Sequence, residues 1–133
     1  MDGHPAFSMQ GLGSEQYVIG ASFQTNAAAN PLSTTFSKPP GFGFTVTYAP
    51  TGIYTVQLAA GLGLPAQPLA IAAWPQYATL ATDWFECGIV GLYVPSTRSF
   101  VIQAHRNGTA NAPAATAGNR INFVINFRNS TGQ

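Results

Sequence analysis

Residues 42–58 read FGFTVTYAPTGIYTVQL, and the pattern in this stretch recurs through the rest of the chain. Large apolar side chains stand at every second position: Phe42, Phe44, Val46 and Tyr48, then Tyr54, Val56 and Leu58. A period of two is typical of strands with one buried face. Pro50 and Gly52 separate the two runs, and both residue types favour a tight turn. The stretch therefore predicts a β-hairpin.

The same alternation continues on both sides of the hairpin, and no segment has the periodicity of a helix. Further strands are expected at residues 17–23, 34–36, 69–74, 84–94, 100–105 and 121–128. Pro75 should end the third of these, and residues 107–119 should form a long loop. The pattern predicts an all-β fold, an antiparallel β-sandwich of seven or eight strands and jelly-roll type. We expect one domain over residues 15–133, after an N-terminal arm over residues 1–14.

Two of these strands carry more specific expectations. In the last strand the large apolar residues share one face and should be buried: Ile121, Phe123, Ile125 and Phe127. Residues 84–94, WFECGIVGLYV, are apolar on both faces, so this strand should be covered on both sides. Gly88 and Gly91 within it should mark a bulge or a close approach of another backbone.

The chain carries unusually little charge. Charged residues make up 7% of it, against about 25% in an average soluble protein, and the net formal charge is +1. Either neutral polar residues form the surface, or neighbouring subunits cover much of it. The cations are scattered, which argues against a nucleic-acid partner: Lys38, Arg98, Arg106, Arg120 and Arg128. Whether the four arginines make contacts between subunits stays open.

The sequence contains no sign of membrane insertion or secretion. No apolar run reaches the roughly 18 residues that a membrane-spanning helix needs, so no membrane partner is expected. The first ten residues, MDGHPAFSMQ, lack the basic and apolar regions of a secretion signal. Cys87 is the only cysteine and cannot form a disulfide within the chain. These features favour synthesis and folding in a cytoplasm.

Residues that could carry chemistry are few. His4 and His105 are the only histidines, and with one cysteine and four acids a metal site of three or four ligands is not expected. Asp83 and Glu86 flank two aromatic residues, but their spacing in a strand places them on opposite faces, unlike a pair of glycosidase carboxylates. Cys87 lies in an apolar run and is interpreted as a buried, unreactive thiol. No catalytic residue, cofactor or metal is predicted.

Three segments carry a resemblance: residues 51–56 (TGIYTV), 63–68 (GLPAQP) and 119–125 (NRINFVI). This strand, proline-bearing turn and long closing strand resemble small β-sandwich structural proteins of tailed-bacteriophage virions, namely head-decoration (cement) proteins and fibre-knob domains. The resemblance implies a non-enzymatic homotrimer on the capsid surface, with the major capsid protein as its partner. The arm would then contact the capsid or a neighbouring subunit through Met1, Asp2, His4, Phe7 and Met9.

Two other functions fit the same residues. A tail-fibre or spike domain would bind a host glycan through exposed aromatic side chains, for which Trp74, Tyr77 and Trp84 are the candidates. A small lectin-like module unrelated to viruses would use the same kind of contact. The leading interpretation is capsid decoration, in which the protein stabilises the phage head by bridging neighbouring subunits.

Overall fold

The structure, a computed structural model, describes residues 16–25, 29–62, 67–78, 85–106, 109–110 and 119–128. Nine strands lie in these ranges: β1 (Gln16–Gln24), β2 (Phe36–Ser37), β3 (Phe44–Ala49), β4 (Ile53–Leu58), β5 (Pro68–Gln76), β6 (Glu86–Val94), β7 (Ser99–Arg106), β8 (Thr109–Ala110) and β9 (Arg120–Arg128). Short 3-10 turns occupy Ser33–Thr35 and Ala60–Leu62, and the described residues contain no α-helix. The expected arm lies outside them.

The strands form two antiparallel sheets. Sheet A has the order β2-β1-β9-β5, and sheet B has the order β3-β4-β7-β6, with β8 pairing the end of β7. Every pairing is antiparallel. The prediction of an all-β antiparallel sandwich is confirmed, whereas these strand orders do not confirm the finer expectation of a jelly roll.

Aromatic and branched side chains from the inner faces of both sheets fill the core. Sheet A supplies Phe23, Ile121, Phe123, Ile125 and Phe127, and sheet B supplies Phe44, Val46, Tyr54, Val56, Leu58, Tyr93, Phe100, Ile102 and Ala104. Phe123 of sheet A meets Phe44 and Phe100 of sheet B edge-on, at ring-centroid distances of 5.3 and 5.4 Å. Because the predicted inward residues of β9 are all buried, the alternation in the last strand is confirmed.

The hairpin predicted over residues 42–58 is present as β3 and β4. Ala49 pairs with Ile53, and the turn between them places Thr51 and Gly52 at φ values of 72° and 76°. Glycine adopts such a φ freely, whereas a β-branched threonine adopts it rarely. The backbone oxygen of Gly52 accepts a hydrogen bond of 2.8 Å from the Ala104 N–H, which ties this turn to β7.

The expectation that the apolar strand β6 is covered on both sides is wrong for the single chain. Its outward side chains are exposed, with Val90 at 46%, Leu92 at 90% and Val94 at 44%. The reason is that the described residues form only two sheets, so no third layer covers the outer face of sheet B. Gly91 marks the expected bulge, with φ of 74° and a register shift. Gly88 pairs regularly with Gln103, so no bulge occurs there.

Three boundaries also differ from the expectation. The strand expected at residues 34–36 is a 3-10 turn over Ser33–Thr35, followed by the two-residue β2. Pro75 does not end its strand, because β5 is an edge strand where a missing N–H leaves no ladder bond unmade. The loop expected over residues 107–119 contains β8, which pairs with the end of β7.

Candidate functional site

An open groove of about 400 Å³ crosses the outer face of sheet A. It is called the Trp74 groove here, and its lining includes the outward-facing residues Gly20, Ser22, Ser37, Lys38, Trp74, Asn122 and Val124. The strand register builds one wall, because Ser37, Ser22, Asn122 and Trp74 stand opposite one another on the four strands of the sheet. Trp74, on the edge strand β5, is 46% exposed.

Gly20 and Val124 also line the Trp74 groove, next to its wall. They stand opposite each other on β1 and β9. A Cβ atom built at Gly20 would meet no heavy atom within 4 Å. The space above Gly20 is therefore open.

Hydrogen bonds hold the polar groups along the wall in place. The Asn122 Nδ2 donates to Gln76 Oε1 at 3.2 Å, which leaves the amide a second hydrogen and its carbonyl oxygen. Arg120 Nε donates to Ser22 Oγ at 3.0 Å, and Arg120 Nη2 donates to Ser37 Oγ at 3.0 Å and to the Thr35 backbone oxygen at 2.8 Å. One guanidinium thus connects β9, β1 and β2 and fixes the wall.

The Trp74 groove has a positive character. Lys38 lines it and is exposed, and Lys38 also borders a second open groove of about 430 Å³, which Arg98 lines too. The Arg120 guanidinium adds a second positive charge beside Ser22 and Ser37. Among the described residues, the only carboxylate side chain is that of Glu86, on β6 of the other sheet.

Of the three aromatic residues named as glycan contacts, the structure places only Trp74 in this groove. Tyr77 is half-buried, and its hydroxyl donates a hydrogen bond to the Phe85 backbone oxygen while its ring meets the Phe85 ring edge-on at 5.3 Å. Tyr77 therefore holds the start of β6 against the end of β5. Trp84 lies outside the described residues, as do Met1, Asp2, His4, Phe7 and Met9.

A second surface of interest lies on the outer face of sheet B. Val90, Leu92 and Val94 form what is called here the β6 ridge. Beside it lies a groove of about 250 Å³ with neutral polar walls: Thr45, Thr47, Thr55, Gln57, Thr97 and Ser99. Val90 stands opposite Val101, and Val94 stands opposite Ser99, so the ridge and the neutral face are continuous. Most of this face is therefore uncharged.

The residues considered for chemistry are not assembled into a reactive site in the described part of the chain. Burial raises the pKa of the Cys87 thiol to about 12, which keeps it protonated and weakly nucleophilic at neutral pH. His105 stands opposite Glu86 on the neighbouring strand and is half-buried. Within the described ranges no three residues among His, Cys, Asp and Glu come together as metal ligands.

Two of the arginines whose role was open make contacts within the chain. Arg98, at φ of 54° in the β6–β7 turn, donates from Nε to the Leu58 backbone oxygen at 3.1 Å. Its own backbone oxygen accepts a 2.8 Å hydrogen bond from the Leu58 N–H, so the turn is held to the end of β4. Arg120 connects three strands of sheet A, as described above. The side chain of Arg128 lies outside the described set.

One structurally important residue, Asn119, was missed by the sequence analysis; it is buried just before β9. Its side-chain oxygen accepts a 3.0 Å hydrogen bond from the Ala78 N–H, beyond β5. Its backbone oxygen accepts a 2.9 Å hydrogen bond from the Thr25 N–H, beyond β1. Asn119 therefore joins the ends of three strands of sheet A. A lone asparagine in a loop has no periodicity that could have revealed this.

Comparison of the chain with protein-family models, with curated proteins and with solved structures found no match. In the part of the chain that the structure describes, no helix is long and apolar enough to cross a bilayer. The two surfaces described above are therefore the basis for a functional proposal.

Proposed function

We propose that this protein is a non-enzymatic structural protein of a virion, a capsid decoration (cement) protein that stabilises the phage head through contacts between subunits. The β6 ridge is the observation that carries the proposal. Single exposed apolar residues are common on protein surfaces, but contiguous ones on an edge strand favour an interface. Leu92, at 90% exposure, is the most exposed large apolar side chain of the described residues.

The energetics of the ridge suit association without ion pairs. Complete burial of a leucine side chain contributes about 1.5–3 kcal/mol, and Val90 and Val94 would add smaller amounts because they are already partly covered. The neighbouring Thr, Ser and Gln side chains of sheet B bury at lower cost than charged groups would. Association through this face should therefore depend only weakly on salt concentration.

The proposed assembly is a homotrimer on the capsid, with the major capsid protein as second partner. The low charge of the chain supports this, because only 7% of its residues are charged and few charges need be desolvated when neighbouring subunits cover its surface. The segment before β1 would supply a further contact to the capsid or to a neighbouring subunit.

The first experiment is light scattering of the purified protein across a range of concentrations. We expect a stable mass of three chains. Leu92→Glu should reduce the mass to one chain while the far-UV circular dichroism stays that of a β-protein. Val18→Glu is the matched control, because Val18 is 66% exposed on the opposite sheet, and it should leave the trimer intact. A wild-type monomer that does not sediment with undecorated phage capsids would refute the proposal.

The alternative functions, a tail-fibre or spike domain that binds a host glycan and a small lectin-like module, rest on a different observation, the Trp74 groove. A monomeric wild-type protein would favour the lectin-like module. The chemistry of that groove leads to a more specific proposal.

A further inference from the structure

We propose that the Trp74 groove binds an acidic saccharide, with a sugar ring stacked on the Trp74 indole and an anionic substituent, a carboxylate or a sulfate, facing Lys38. This inference goes beyond the proposed assembly role. The groove lies on the outer face of sheet A, whereas the β6 ridge belongs to sheet B, so both surfaces can be occupied at once.

The stacking platform is the first part of the argument. Trp74 is the only tryptophan among the described residues, and its indole is about half exposed beside an open groove. Aromatic rings have negative faces, which attract the positively polarised C–H bonds of a pyranose ring. A core role does not account for this side chain, because its neighbours Ala73 and Pro75 point inward and Trp74 points outward.

The shape of the groove is the second part. Gly20 has no side chain and the space above it is open, so the groove of about 400 Å³ has room for a sugar ring beside the Trp74 wall. Asn122 at the wall offers an amide hydrogen and a carbonyl oxygen, and such a donor–acceptor pair suits adjacent sugar hydroxyls.

The charge of the groove is the third part and favours an acidic ligand over a neutral one. Lys38 lines the groove, and the Arg120 guanidinium lies beside Ser22 and Ser37. Among the described residues, no carboxylate side chain lies on sheet A. A ligand carboxylate or sulfate would complement these cations and form a charge-assisted hydrogen bond with the Lys38 ammonium.

Calorimetric titration with matched pairs of soluble oligosaccharides, each acidic compound beside its neutral parent, tests the proposal. Suitable pairs are sialyllactose with lactose and sulfated with unsulfated lactose. Monovalent compounds in solution avoid the avidity that an immobilised array gives to an oligomer. We expect an acidic member to bind about tenfold more tightly than its parent, which corresponds to one favourable ionic contact.

Three variants and one control separate the contributions. Trp74→Ala should weaken binding about tenfold or more. Lys38→Gln should remove the preference for the acidic member and leave binding of the parent unchanged. Gly20→Leu should block the groove without harming the fold, because a Cβ atom there meets nothing within 4 Å. Leu92→Ser, on the other sheet, should bind the saccharide as the wild type does.

The proposal is overturned if no acidic saccharide binds, if the neutral parents bind equally well, or if Trp74→Ala and Gly20→Leu bind as the wild type does. Its failure is distinguishable from failure of the assembly proposal. Leu92→Glu tests the mass and should retain saccharide binding, whereas Trp74→Ala tests saccharide binding and should retain the mass of the wild type.

Discussion

Phe123→Ala is the substitution that tests the packing of the two sheets most directly. Phe123 is 1% exposed in the middle of β9, and its ring contacts Phe44, Phe100 and Phe23 at centroid distances of 5.3, 5.4 and 6.5 Å. Truncation of a buried phenylalanine costs about 3–5 kcal/mol. Because three aromatic contacts are lost together, at about 0.5–1.5 kcal/mol each, we expect a value near the upper end, about 4–5 kcal/mol.

The assay is urea unfolding followed by far-UV circular dichroism at one fixed protein concentration, since association would alter the apparent stability. With a denaturant slope of about 2 kcal/mol/M, the unfolding midpoint should fall by about 2 M. Val18→Ala is the control on the same sheet, and its outward, exposed position predicts a change below about 0.5 kcal/mol. A loss below about 1 kcal/mol for Phe123→Ala, or an equal loss for both variants, would refute the inward orientation of β9.

Three further predictions concern polar side chains that are buried or half-buried. Asn119→Ala should lower the free energy of urea unfolding by about 1–3 kcal/mol, because the Ala78 N–H loses its partner; a loss below about 0.5 kcal/mol would contradict this role. Tyr54→Phe should leave that free energy unchanged or raise it by up to about 1 kcal/mol, since the buried hydroxyl has no hydrogen-bond partner among the described residues; a clear loss would reveal a partner. The pKa of the Cys87 thiol is 9.0 in the unfolded chain and about 12 in the folded protein. Because the unfolded chain loses this proton at lower pH, the free energy of unfolding should fall as the pH rises from 9 to 12. Cys87→Ala should reduce that alkaline loss in urea unfolding measured at pH 8 and pH 10.5, and an unchanged loss would contradict the assignment.

Local alternation was sufficient to predict the sandwich and several of its strands. The β3–β4 hairpin and the closing strand β9 are confirmed because each has one buried face and one polar face, which imposes a period of two. A run that is apolar on both faces carries no such information. In β6 the pattern could not show whether the outer side chains, such as Leu92, meet another layer or solvent, because that depends on how many layers pack on the sheet.

The Trp74 groove could not be predicted from local sequence patterns either, because it depends on long-range strand pairing. Trp74 could be named from the sequence as an exposed aromatic, but its neighbours come from distant segments. Ser22, Asn122 and Trp74 meet only because β1, β9 and β5 pair in one particular register. A shift by one residue would turn each of these side chains to the other face, so the site depends on long-range pairing. The same holds for Tyr77, which could not be distinguished from a surface aromatic until its contact with Phe85 was seen.

Because β1 pairs with β9, sheet A cannot be completed until β9 has been synthesised. β1 leaves the ribosome about a hundred residues before β9, with which it pairs over nine positions. All four main strands of sheet B precede β9 in the chain, so sheet B can form while sheet A still lacks a central strand. Closing so long a loop is slow, and at about 5–20 residues per second the wait lasts seconds. Throughout that interval the inner face of sheet B, with Phe44, Val56 and Phe100, is uncovered and is a surface for chaperones to recognise in the nascent chain.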